Sequence, residues 1–248
     1  MKNICLWQQT EKQMQGDTRM SVEKAGLRAI IRTRLRTLAA DRELAAEKSR
    51  CAASVLTDAD SYRESTAVLA FLSFGTEIKT HDLVRTMLAD GKRVAIPRTF
   101  ENESDDARME FYWLSPDAPL EDQVEKGDFG ILVPRESLEM VDPAALPEKT
   151  LMVLPGVAFS KEGWRLGQGR GFYDRYLERV SGCRTAGVSA VGPSSAAFMK
   201  NTGTSQSVLL AGFCYSLQIV DEVPHEAWDI PVDCVITDDG VYTAALLR

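Results

Sequence analysis

The chain has 248 residues, 44% of them hydrophobic, with 29 Lys and Arg against 36 Asp and Glu and a net charge of -7. That length and apolar content suit one large α/β domain or two small ones, and the acidic balance excludes a global pull toward nucleic acid or an anionic membrane. Five scattered cysteines (Cys5, Cys51, Cys183, Cys214, Cys234) form no C-x-x-C pair, and His81 and His225 are the only histidines, so a histidine-rich metal site or a Ser-His-Asp triad is not expected, and free thiols of a reducing cytosol are.

In chain order, residues 1–20 carry no signal-peptide core and no transit-peptide composition, and read as a flexible extension ahead of a single domain, 21–248. No run of about 18 apolar residues occurs, so no transmembrane helix is expected. Ser21 is the expected N-cap of a helix to about residue 38, with Leu27, Ile31, Leu35 and Leu38 on one stripe. Asp41 opens a second helix. Residues 66–73 (TAVLAFLS) read as a buried strand, Thr80 caps a short helix that Gly91 ends, and 94–97 is the next strand. Further strands are expected at 109–114, 130–133, 151–154, 185–190, 209–215 and 234–237, with a helix at 172–180. Residues 100–107 (FENESDDA) read as an exposed loop. The alternation favours an α/β fold: one domain with a mainly parallel central sheet flanked by helices.

The chemistry concentrates in residues 154–180, LPGVAFSKEGWRLGQGRGFYDRYLERV. Gly167, Gly169 and Gly171 alternate ahead of an amphipathic helix, with Arg165 and Arg170 beside them. Such glycines let backbone N–H groups approach an anion, and the helix N-terminus adds positive potential, so a phosphate or polyphosphate is the expected guest. No G-K-[ST] follows, which separates the run from a P-loop; it does not follow a strand directly, and Phe172 stands where a third Rossmann glycine would be.

The longer string P-G-V-A-F-x-x-x-G-x-R-L-G-x-G-x-G-F-Y-D-R resembles the signature of the 5-formyltetrahydrofolate cyclo-ligases, also called methenyltetrahydrofolate synthetases. Likeness continues in K-x-x-L-R at 24–28, F-L-S-x-x-x-E-I-x-T at 71–80, G-K-R-V-A-I-P-R at 91–98 and the stretch 220–237. The resemblance implies a fold layered like sugar-phosphate isomerases and coenzyme A transferases. It also implies conversion of 5-formyltetrahydrofolate to 5,10-methenyltetrahydrofolate with ATP as co-substrate. Carried over by position, it implies ATP contacts at Lys24, Arg28, Arg165, Leu166, Gly167, Gln168, Gly169, Arg170, Gly171, Phe172 and Tyr173. Folate contacts fall at Leu72, Glu77, Gln168, Gly169, Arg170, Gly171 and Phe172.

Arg165, Arg170 and Tyr173 are assigned to catalysis, and Asp174 and Asp229 to Mg²⁺, a hard ion that prefers oxygen. Reduced folate and ATP are the only partners expected, with no nucleic acid and no membrane, on a cytoplasmic monomer. On a helical wheel Lys24 faces the buried stripe and Arg28 its edge; Arg32, Arg34 and Arg36 read as a solvated face. Trp113 reads as core packing before ring stacking. Three departures from the family pattern are Phe172, where Tyr is common, Arg170, where Gly or Lys is frequent, and Val133, where Glu or Gln is usual. Two alternatives stay open: another enzyme on a related α/β scaffold that uses no ATP, and a binding paralogue without turnover.

Overall fold

A computed structural model describes residues 2–100, 108–127, 130–180, 208–226 and 229–243. The chain runs α1 (Lys2–Ala40), α2 (Arg42–Asp58), α3 (Asp60–Glu64), β1 (Ala67–Leu69), α4 (His81–Ala89), β2 (Arg93–Phe100) and β3 (Arg108–Trp113). It continues through α5 (Leu120–Gln123), β4 (Val124–Lys126), β5 (Leu132–Pro134), β6 (Thr150–Leu154), β7 (Ala158–Ser160), β8 (Arg165–Leu166) and α6 (Phe172–Arg179). The last elements are β9 (Val208–Phe213), β10 (Ile219–Val220), β11 (Cys234–Thr237) and β12 (Gly240–Thr243).

A seven-stranded sheet in the order β12-β11-β9-β6-β1-β2-β3 forms the centre. Its five inner strands are parallel, while β12 and β3 add antiparallel edges. Strands β1, β6 and β11 are buried along their whole length, as near-continuous apolar runs must be when both faces are covered. Alternate residues feed two cores. Val68, Val94 and Leu151 face a cluster with Ile31, Leu35, Leu56 and Met87 of the first helices. Leu69, Ala95 and Met152 face another with Phe111, Phe159, Tyr176 and Leu177.

Asp41 caps α2 as expected, its carboxylate accepting from Leu44 N at 3.0 Å. Ser21 does not cap a helix; it lies inside α1, which begins at Lys2. Strand β1 stops at Leu69 although burial continues through Leu72. Beyond it Thr80 occupies the N-cap of α4 as expected but makes no side-chain cap bond; its hydroxyl donates to Phe71 O at 2.6 Å and accepts from Ser73 N at 2.9 Å, pinning the loop 71–80 to itself.

Strand β5 pairs with β4 outside the main sheet, and β7, β8 and β10 form a small three-stranded sheet. Segments of two or three residues are too short to show a period. Strand β8 also corrects an expectation, because it leads straight into Gly167. The expected strand at 185–190 and residues 101–107 of the expected loop lie outside the described residues; Phe100 ends β2.

Candidate active site

The chain leaves parallel β1, β6 and β9 on the same edge of the sheet, their C-terminal ends, where open α/β sheets place ligands. A cleft of about 320 Å³ sits there. Its walls come from Leu35 and Arg36 of α1, Phe74 to Ile78 after β1, Pro155 to Val157 after β6, and Phe213 ending β9.

Glu77 lines this cleft. Its Oε2 accepts from Phe74 N at 2.9 Å, and its own N–H donates to Phe74 O at 3.2 Å, so the turn holds the carboxylate in place. Burial pushes the Glu77 carboxyl above the usual carboxylate range, with the Phe74 N–H and Lys79 opposing. Leu72 is only 8% exposed, belongs to the core beneath the loop and does not line the cleft. Phe71 and Phe74 do.

Strand β8 delivers the glycine loop beside α1. Arg28 Nε donates to Gly167 O at 2.9 Å, and Arg32 Nη2 to Gln168 Oε1 at 2.6 Å. Gly169 and Gly171 adopt φ of 104° and 66°, a left-handed region that side-chain-bearing residues avoid. Gly171 then caps α6. Leu166 is buried in the core, leaving only its backbone to the loop. Arg170 is exposed, and its carbonyl accepts from Arg175 Nη2 at 2.8 Å. Phe172 is half-buried, with the Arg175 guanidinium 5.7 Å over its ring.

Arg165 is the buried cation of the site, its side chain 5% exposed. Its Nη2 meets Asp174 Oδ1 at 2.5 Å, its guanidinium lies 5.6 Å over the Tyr173 ring, and its Nε is buried with no partner. Burial, and next the negative charge of Glu77, push the Tyr173 phenol far above its ordinary range, with Arg165 opposing. Glu77, Tyr173 and Arg165 therefore share one electrostatic environment, although Glu77 lies far from the other two in sequence.

Lys24 lies mid-helix in α1, so no dipole penalty attaches to it. Its Nζ meets Glu226 Oε2 at 3.1 Å and Asp229 Oδ2 at 3.4 Å. Asp229 Oδ2 also accepts from Glu226 N at 2.9 Å. The two carboxylates expected to hold Mg²⁺ are thus each paired with a cation, Asp174 with Arg165 and Asp229 with Lys24. Among the described residues no group of three or more His, Cys, Asp or Glu is arranged around a metal position. Asp233 Oδ2 accepts from Leu210 N at 2.8 Å and so anchors β9.

The family pattern described as the 5-formyltetrahydrofolate cyclo-ligase family matches residues 20–238. The chain belongs to that family. It is 31% identical over 156 residues to the 5-formyltetrahydrofolate cyclo-ligase of Mus musculus, covering 63% of this chain and 74% of that protein. The Escherichia coli (strain K12) protein of that name is 28% identical over 175 residues, 71% of this chain and 79% of its own. The NMR structure of Aquifex aeolicus 5,10-methenyltetrahydrofolate synthetase superimposes with a TM-score of 0.65 at 28% identity, covering 91% of this chain and 94% of that one.

The family's expected positions Lys24, Arg28, Gln168 and the glycine loop gather along one face of α1, whereas Trp113 lies elsewhere. It sits opposite Ala95, near the start of β2, beneath the Arg93 guanidinium at 4.3 Å, and so packs rather than meeting the cleft. Arg32 and Arg36, read as a solvated face, are exposed and also line the cleft. The overlooked signal was their spacing: Lys24, Arg28, Arg32 and Arg36 recur every four residues, a single helical face. Phe74, Phe213 and Gln218 also line it, and nothing local in the sequence marks them.

Proposed function

We infer that the chain catalyses the ATP-dependent conversion of 5-formyltetrahydrofolate to 5,10-methenyltetrahydrofolate, with release of ADP and phosphate. A formamide oxygen is a poor leaving group, which is why ATP is needed. The formyl oxygen attacks the γ-phosphorus and ADP departs. The activated carbon is then attacked by N10, which gives up its proton to solvent as phosphate leaves with the former formyl oxygen. Positioning and charge neutralisation carry such a transfer, and neither requires a histidine.

The observation that carries the reading is the junction of α1 with the glycine loop, Arg28 on Gly167 O and Arg32 on Gln168, at the mouth of a cleft holding Glu77. On this reading the loop's N–H groups, Lys24, Arg28, Arg165 and Arg170 receive the ATP phosphates. The buried Arg165 Nε without a partner has a donor to offer there. Tyr173, held protonated by its surroundings, serves as a hydrogen-bond donor and not as a base. Glu77 accepts from the amino group and ring N–H of the pterin, with Leu72 supporting the loop from below.

Magnesium fits the donors modestly: Asp174 is 46% exposed and spends Oδ1 on Arg165, which leaves one oxygen for an ion that normally takes one or two carboxylates beside phosphates and water. Asp229 is the second donor proposed. When bound, Mg²⁺ neutralises phosphate charge. Asp174→Asn is expected to raise the magnesium concentration for half-maximal rate; a curve that overlays the unaltered protein would remove Asp174 from the metal.

The match beginning at residue 20 supports a catalytic unit of 21–248 preceded by an extension. A cytoplasmic monomer is part of the same proposal; no described helix is long and apolar enough to cross a membrane. Purified protein given 5-formyltetrahydrofolate, ATP and magnesium should develop the near-ultraviolet absorbance of the methenyl product. No absorbance change would overturn the activity, and a change without ATP would overturn the mechanism.

A further inference from the structure

A second cavity of about 340 Å³ adjoins the cleft, and Gly75 and Thr76 line both. Its floor is apolar, built from Leu38, Ala45 and the ring of Tyr215. Its only charged lining residues are two exposed cations, Arg42 and Lys79. Lys79 Nζ spends one proton on Gly75 O at 2.7 Å, which holds the ammonium against the ridge between the cavities. The Arg42 guanidinium has no hydrogen-bond or ion-pair partner among the described residues. No carboxylate lines the cavity.

On a chain of net charge -7, a recess lined by two cations and no carboxylate, with Glu77 the one acidic group that feels Lys79 from the adjoining cleft, is set for an anionic ligand. The N-terminus of α2 adds little, since Asp41 already caps it and Glu43 stands in its first turn. The floor is rigid: the Tyr215 hydroxyl is held by Ser49 Oγ at 2.9 Å, and Ser49 Oγ accepts from Lys79 N at 3.1 Å. One hydroxyl network thus ties the backbone of Lys79 to the wall it overlooks.

We propose that this second cavity binds the glutamate portion of the folate, its α- and γ-carboxylates and any further γ-linked glutamates meeting Arg42 and Lys79. The inference rests on the folate reading of the first cleft. With the pterin at Glu77, the substrate's acidic end must leave past Gly75 and Thr76 or turn toward solvent, and only the former route meets paired cations over an apolar floor. Arg36, which lines the first cleft and whose Nη2 donates to Thr33 Oγ1 at 3.2 Å, adds a third positive charge on the way.

The test uses the full chain and the double variant Arg42→Gln, Lys79→Gln, both positions exposed and therefore tolerant of change. Calorimetry with p-aminobenzoyl-triglutamate, which has no pterin, reads the second cavity whether or not the protein turns over. The unaltered chain should bind it, and the double variant about tenfold to hundredfold more weakly, the loss expected for charge-assisted hydrogen bonds. In the turnover assay the unaltered chain should prefer triglutamyl over monoglutamyl 5-formyltetrahydrofolate, and the double variant should lose most of that preference. Equal binding of the probe by both proteins, or an unchanged preference, would overturn the proposal. Absence of turnover with probe binding retained would overturn the activity and leave the anion site standing.

Discussion

Glu77 shows how one residue is shaped by two demands. Burial raises its pKa, so the folded chain holds that proton more tightly than the unfolded chain. Its contribution to stability is then most favourable below the unfolded carboxyl range and is lost as pH rises through the folded value. Glu77→Gln removes the cost of a buried charge while an amide oxygen can still accept from Phe74 N. The variant should match the parent Tm near about pH 4.5 and exceed it near about pH 8, yet bind folate about tenfold to hundredfold more weakly, because an amide N–H would face the pterin's donors. A Tm advantage that failed to grow with pH would refute the buried-charge account. Gly169 and Gly171 are constrained differently, by backbone: at φ of 104° and 66° an L side chain costs roughly 1–2 kcal/mol. A Cβ on Gly171 would also stand 3.0 Å from Arg175 Nη1. Gly169→Val and Gly171→Val should keep their circular dichroism and lose at least about tenfold in ATP affinity by calorimetry. Unchanged affinity would remove the loop from the phosphates.

Among the elements, the glycines have two separate duties that the sequence displays alike. Gly156 follows β6 and Gly212 lies in β9, and the fully buried ring of Phe159 is wedged against both. A Cβ on Gly156 would stand 2.6 Å from Phe159 Cζ, and one on Gly212 2.5 Å from Phe159 Cε1. These two glycines exist for packing, and the alternating glycines after β8 for conformation. Gly212→Ala should therefore destabilise by about 1–3 kcal/mol through overpacking, a fall of several degrees in Tm. Phe159→Leu in the same chain should restore part of it. No restoration would mean the strain lies elsewhere. Helix α1 was legible by its stripe, since Ile31, Leu35 and Leu38 are all buried. Its polar face was not: Arg32 and Arg36 look like solvated cations until β8 brings Gln168 to within 2.6 Å of Arg32.

For the whole molecule, α1 spans both the extension and the site. Its described long-range polar contacts begin at Lys24, and the family match begins at residue 20. A chain begun at Met20 should keep its turnover to within about twofold, since the family match begins at that residue. A much larger loss would place residues 2–19 in the working enzyme. What the sequence by itself determined is whatever repeats at short range: the helical stripe of α1, the Asp41 cap, the buried runs of β6 and β11, and the glycine-rich signature that names the family. Local periodicity and backbone preference act within a few residues, so one stretch of chain suffices to show them. The tertiary structure alone decided the rest. It joined Glu77 to Tyr173 and Arg165, paired Asp174 and Asp229 with cations, turned Leu72 into the core and Trp113 away from the cleft, and set a second basic cavity beside the first. Those outcomes depend on which strand ends share an edge of the sheet, and that is fixed by pairing β1 with β6 and β6 with β9, strands far apart in sequence.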